Sequence, residues 1–143
     1  MTFKNIVLMG TLLTWVSFTF ASDKATAVNP AVKIVDKQLA AYNNQDIDAF
    51  IATYHQDVEI YDFPNSLKYT GKENLKQNYQ GMFERLKCLQ ASSKKRIVLY
   101  NTVIDHELAE MCTTDKHIVD KSIEVIAIYE VEDGLIKRVM FQR

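Results

Sequence analysis

The segment Ile123-Glu124-Val125-Ile126-Ala127-Ile128-Tyr129-Glu130-Val131 constrains this chain more than any other, because it alternates like a strand yet leaves neither side polar. With a period of two, Ile123, Val125, Ala127, Tyr129 and Val131 share one face while Ile126 and Ile128 occupy the other. A sheet built around such a strand needs cover on both faces. Glu132-Asp133-Gly134 follows; its Asp-Gly pair is a strong hairpin signal, and Leu135 to Gln142 forms the returning strand. Upstream, Arg96 to Tyr100 and Val103 to Met111 flank Asn101-Thr102, a two-residue connection consistent with another hairpin. The C-terminal half therefore reads as an antiparallel sheet.

The N-terminal half has helical spacing instead. Asn29-Pro30 provides an N-cap followed by Pro at the first helical position, and Val32, Val35, Leu39 and Tyr42 recur along one face down to Asn43-Asn44. Asp46 caps a shorter helix that carries Ile47, Phe50, Ile51 and Tyr54, and His55-Gln56-Asp57 turns the chain into the strand Val58 to Asp62. Pro64 stops that strand. Thr70-Gly71-Lys72-Glu73 has capping-box spacing, so a third helix is expected from about Gly71 to Leu86, burying Leu75, Tyr79, Met82, Phe83 and Leu86. Helices first and antiparallel strands afterwards indicate an α+β domain with its helices on one face of the sheet. A second copy of the sheet is the economical cover for the other face, which predicts a homodimer.

Residues 1–21 read as a cleaved secretory signal: Lys4 is the positive start, Ile6 to Phe20 are uncharged and mostly apolar, and Thr19-Phe20-Ala21 places small residues at the cleavage positions. The apolar stretch is shorter than the roughly 20 residues that span a bilayer, so no stable membrane anchor is expected and the product is periplasmic or secreted. Residues 22–28 read as a flexible lead-in, and residues 29–143 as one domain of about 120 residues or fewer, with one core. The chain has 17 basic and 18 acidic side chains, a balance that argues against nucleic acid or anionic membrane as partner. Cys88 and Cys112 are the only cysteines. They either pair, as an oxidising compartment permits, or remain two buried thiols.

Ala40 to Asp48, Val58 to Asp62, Tyr69 to Leu75 and Ile128 to Val139 together resemble the nuclear transport factor 2-like, or SnoaL-like, family, whose best-known enzyme is the bacterial ketosteroid isomerase. The resemblance covers nearly all of residues 29–143 and implies a cone-like barrel, three N-terminal helices on a curved, mostly antiparallel sheet. It implies much less about activity, since the fold hosts isomerases, cyclases, dehydratases, hydrolases and binding modules. Asp62 falls where the isomerase keeps its aspartate general base, and Tyr79 where it keeps a pocket tyrosine. Gln38 and Ala127 stand where it keeps its two oxyanion donors. Losing one such donor typically costs roughly a hundredfold to a thousandfold in rate, so steroid isomerisation is disfavoured.

Strand parity adds to the interest of Asp62, which shares a side with Val58 and Ile60 and so points a carboxylate where a core is expected. Its plainer role is to cap a loop amide near Asn65-Ser66. In Val103 to Leu108, alternation groups His106 with Ile104 and Leu108 on the more apolar side and leaves Asp105 and Glu107 on the wetter one. His106 is then either a second acid–base group or a half-buried strand histidine. Tyr42, Tyr79, Phe83, Tyr129 and Phe141 either line an apolar pocket or fill the core. No His, Cys or carboxylate pair has structural-metal spacing, so neither metal nor cofactor is expected. Two functions remain: an exported module that binds a small hydrophobic molecule without catalysis, or a cofactor-free acid–base enzyme using Asp62 on a carbonyl-bearing or cyclic substrate.

Overall fold

Asn29 caps the first helix as its spacing predicts: its side-chain oxygen accepts from the Ala31 N–H at 2.8 Å and Pro30 follows at the first helical position. The computed structural model describes residues 28–143. The expected signal segment, its cleavage site and residues 22–27 of the lead-in lie outside the described residues. Helix α1 spans Pro30–Asn43. Asp46 accepts from the Ala49 N–H at 3.0 Å and caps α2, Ile47–Ile51. The chain then forms β1 (Tyr54–Asp62), β2 (Ser66–Thr70), α3 (Lys72–Arg85), β3 (Cys88–Leu99), β4 (Thr102–Cys112), β5 (Lys121–Glu132) and β6 (Leu135–Gln142).

Several boundaries differ from expectation for tertiary reasons: Tyr54 to Asp57 belong to β1 rather than to the second helix and a turn, and the β3–β4 connection is Tyr100-Asn101, with Leu99 paired to Thr102, rather than Asn101-Thr102. The capping box at Thr70 does not form: Gly71 is the N-cap, at φ 86° and without a side-chain cap bond. Its N–H instead donates to the Val58 carbonyl at 2.7 Å, so pairing with β1 sets the start of α3, and glycine tolerates the positive φ. Strand β2 was not anticipated, since its short, mostly exposed sequence has meaning only as the edge partner of β1. Strand β3 begins at Cys88 rather than Arg96, because Cys88 to Ser93 pair with Glu107 to Cys112 across the ladder. The Asp133-Gly134 turn forms as read, with φ of 51° and 77°.

The six strands lie in the order β2-β1-β6-β5-β4-β3, a curved and unclosed sheet in which only β1 and β6 run parallel. The helices cover its concave face, where Val35, Phe50 and Leu75 from α1, α2 and α3 meet Val58, Val103, Ala127 and Val139 from the sheet. Each of the valine, leucine and phenylalanine side chains, fully buried, contributes roughly 1.5–3 kcal/mol. Phe50, Tyr54 and Tyr79 form the aromatic centre, with Phe50 ring centroids 5.0 Å from Tyr54 and 4.5 Å from Tyr79.

The convex face keeps its apolar row. Ile97, Ile104, Ile128 and Met140 lie side by side in the register of β3, β4, β5 and β6, and all four are partly or largely exposed in the single chain. Cys88 and Cys112, cross-strand partners, form a disulfide across Cα atoms 4.8 Å apart, which decides the alternative left open by the sequence. No helix among the described residues is long and apolar enough to cross a membrane.

Candidate functional site

A space opens under α1 because side-chain volume is missing there: Ala91 on β3 and Ala109 on β4 are register partners on the concave face. The result is a cavity of about 310 Å³. Gln38, Leu39 and Tyr42 of α1 and Asn78, Tyr79 and Met82 of α3 wall two sides. The sheet supplies Ile60, Ala91, Glu107, Ala109, Met111, Ile123, Val125, Tyr129 and Phe141, and Lys68, Tyr69 and Arg143 complete the lining. The wall is thus mainly aromatic and aliphatic, with a few polar groups to orient a guest.

Among the described residues, Glu107 is the one acidic side chain in the lining. The residue is 7% exposed, and the Tyr129 hydroxyl donates to its Oε1 at 2.8 Å. Burial pushes the carboxyl up to about 7; Asp105 adds to this, while the Tyr129 hydrogen bond and the Arg96 charge oppose it. The surrounding phenols move the same way. Burial raises Tyr42 to about 12 and holds Tyr54, Tyr79 and Tyr129 well above their ordinary value, so all four stay protonated donors near neutral pH.

Asp105 lies two residues earlier on the same face, fully buried but outside the cavity. Arg96 grips it with two hydrogen bonds, Nε to Oδ1 at 2.7 Å and Nη2 to Oδ2 at 2.6 Å, and Ser93 Oγ adds a third at 2.9 Å. The free end of the guanidinium reaches Asp36 on α1 at 2.5 Å. Asp105 chiefly holds the Arg96 guanidinium above its usual range. This network ties α1 to the sheet.

The two expected acid–base residues are elsewhere. His106 faces the convex side with Ile104 and Leu108, half-exposed, its Nε2 2.7 Å from Glu124 Oε2. The parity assignment on β4 is therefore reversed, since Val103, Asp105 and Glu107 are the buried set. Both sides of β4 carry apolar residues, and the buried carboxyls find their partners on β3 and β5, which local sequence does not reveal. Asp62 does follow the buried Val58 and Ile60, but a register shift at Ile60/Tyr61 and the end of the strand leave it partly exposed. Lys68 Nζ and Arg143 Nη1 each lie 3.0 Å from its carboxylate. It borders a shallow depression with Phe63, Phe141, Gln142 and Arg143 rather than the main cavity.

Of the remaining candidates, Gln38, Tyr42, Tyr79, Tyr129 and Phe141 line the cavity. Phe83 and Ala127 stand behind the wall: Phe83 packs edge-on to Tyr79 at 6.1 Å, and Ala127 is fully buried under the helices. Buried Gln38 leaves its Oε1 without a hydrogen-bond partner among the described residues. Sequence reasoning missed Glu107, Lys68 and Arg143. For Glu107 one usable signal existed, its shared parity with Val103, Ala109 and Met111, but Ile104 and Leu108 on the other side balanced it.

The fold has counterparts among known proteins. No curated protein matches the chain. An uncharacterized cystatin-fold protein from Novosphingobium aromaticivorans superposes with a TM-score of 0.70 at 24% identity, over 79% of this chain and 97% of that one. An LEH-like epoxide hydrolase from Mycobacterium tuberculosis gives 0.64 at 18% identity, over 78% and 76%. A computationally designed 17-OHP binder gives 0.66 at 15% identity, over 80% and 93%. At these identities the likeness establishes the fold, a nuclear transport factor 2-like cone, and not an activity. The SnoaL-like domain model matches residues 35–139, most of the fold and nearly the whole cavity wall, and the chain belongs to the SnoaL-like domain family.

Proposed function

We propose that the protein is a binding module whose cavity takes a small, mainly apolar organic molecule. The observation that carries this reading is the cavity of about 310 Å³ itself, walled by Tyr42, Tyr79, Met82, Tyr129 and Phe141. The designed relative, described as a 17-OHP binder, supports it by analogy of fold. The acid–base alternative with Asp62 as base has less support, because that carboxylate is occupied by Lys68 and Arg143 and the two oxyanion-donor positions hold Gln38 and Ala127.

Thermal shift with flat ring compounds tests the binding reading. A ligand at a hundredfold excess over its dissociation constant stabilises the native state by about 2.7 kcal/mol. Filling the space with Ala109→Trp should abolish that shift. The reading fails if no such compound raises Tm, or if the filled variant binds as well.

Export and self-association complete the proposal. The Cys88–Cys112 disulfide supports an oxidising compartment, and closing a loop of this length stabilises by about 3 kcal/mol. The exposed row Ile97, Ile104, Ile128 and Met140 supports a homodimer through the convex face. Cell fractionation and light scattering check these two points; a cytoplasmic, monomeric product contradicts both.

A further inference from the structure

The charges on the cavity wall are distributed unequally. Among its lining residues the amine, guanidinium and carboxyl side chains are Lys68, Arg143 and Glu107. Glu107 sits on the inner wall, buried, with Tyr129 as its only hydrogen-bond partner among the described residues. Lys68 and Arg143 both lie 3.0 Å from the same Asp62 carboxylate, which offsets part of their positive charge. The Arg143 guanidinium also lies 5.2 Å from the centroid of the Phe141 ring, which lines the cavity. Tyr42, on α1, lines the same cavity.

We propose that the cavity selects an amphipathic organic anion, a flat apolar body bearing one carboxylate-type group, with the body packed against Tyr42 and Glu107 and the charge held by Arg143 and Lys68. This rests on the cavity being a ligand site. Arginine and lysine retain donors beyond those given to Asp62, so a second carboxylate can be accepted without breaking the first pairing. An ammonium ligand meets two cations on the wall, and a neutral ligand gains no charge-assisted hydrogen bond from them. Asp62 then competes with the ligand for both cations.

A second consequence concerns the inner wall. Glu107 is faced by Tyr129 from β5, Arg96 from β3, Tyr54 from β1, Tyr42 from α1 and Tyr79 from α3, with Asp105 on its own strand. Only Arg96 among these is a cation, and it is committed to Asp105 and Asp36. An apolar body laid over Glu107 removes its remaining water and favours the uncharged carboxyl. Binding therefore takes up a proton near neutral pH.

Isothermal titration of the folded protein with naphthoate, naphthalenemethanol and naphthylmethylammonium tests both points, with naphthoate repeated in two buffers of different ionisation enthalpy. Naphthoate should bind at least tenfold more tightly than the alcohol, and the ammonium most weakly. At pH 7 naphthoate binding should take up roughly half a proton, an uptake absent in Glu107→Gln. Replacing both Arg143 and Lys68 by Gln should erase the preference for naphthoate over the alcohol. Asp62→Asn should tighten naphthoate severalfold. If the alcohol binds as tightly as naphthoate, the cavity remains a ligand site and the anion assignment falls. If none of the three binds, the cavity reading fails and the anion assignment with it.

Discussion

Asp105 and Glu107 stand two residues apart on one face of one strand, both withdrawn from solvent, and they do opposite things. Asp105 has a bidentate guanidinium and a serine hydroxyl. Glu107 has one phenol and an open cavity. A carboxylate that receives enough donors stays charged at little cost and acts as a structural tie. One that receives a single neutral donor is driven toward its protonated form. Burial alone does not mark a functional acid; the distinguishing features are the missing cation and the adjoining space.

The most severe way to break the contrast is Arg96→Met, which leaves Asp105 as poorly supported as Glu107. A buried ion pair that loses one partner destabilises by about 3–5 kcal/mol, so urea unfolding should shift its midpoint strongly downward; a change below about 1 kcal/mol would mean that water reaches Asp105. Glu107 gives the next effect, and its sign is fixed. With the native pKa raised to about 7 from 4.5, the folded state binds more protons than the unfolded chain between those values. Stability must then fall as pH rises through that window, by up to ~3 kcal/mol, and stay low above it. In Glu107→Gln this slope should vanish and Tm at pH 8 should rise. Glu59, Asp120 and Glu124 have lowered values, so their contributions are lost below the ordinary carboxylate range and do not mask the window.

Tyr129→Phe sharpens the contrast further by removing the one donor Glu107 has. The carboxyl titration, followed by NMR, should move upward, because that hydrogen bond is what lowers it, and stability at neutral pH should drop by about 1–2 kcal/mol. The smallest effect belongs to Asp36→Asn. Asp36 is 57% exposed, so its bond to Arg96 is a surface ion pair whose loss should cost less than about 1 kcal/mol. A larger loss would show that Asp36 is needed to aim Arg96 at Asp105.

Much of the scaffold was legible because its signals are local. The cap at Asn29, the Asp133-Gly134 turn and the alternation of β5 each depend on residues within a few positions, and each forms where it was read. The site was less legible. Parity on β4 was ambiguous because Ile104, Leu108, Val103 and Met111 divide evenly between the two sides. His106 was therefore turned inward, while the structure turns Glu107 inward. Asp62 had the right parity, but neither the two cations that hold it nor the strand end that exposes it follows from its neighbours.

The sequence by itself determined the α+β order, the Asp133-Gly134 turn, the helix starts with polar caps and the demand for cover on both faces of β5, all consequences of periodicity and backbone preference. Only the tertiary structure decided that Cys88 pairs with Cys112, that Ala91 and Ala109 adjoin to leave a cavity, and that Asp105 receives a cation while Glu107 does not. Those outcomes depend on strand register across distant segments, and the charge state of a buried carboxyl is set by whichever side chains that register brings beside it.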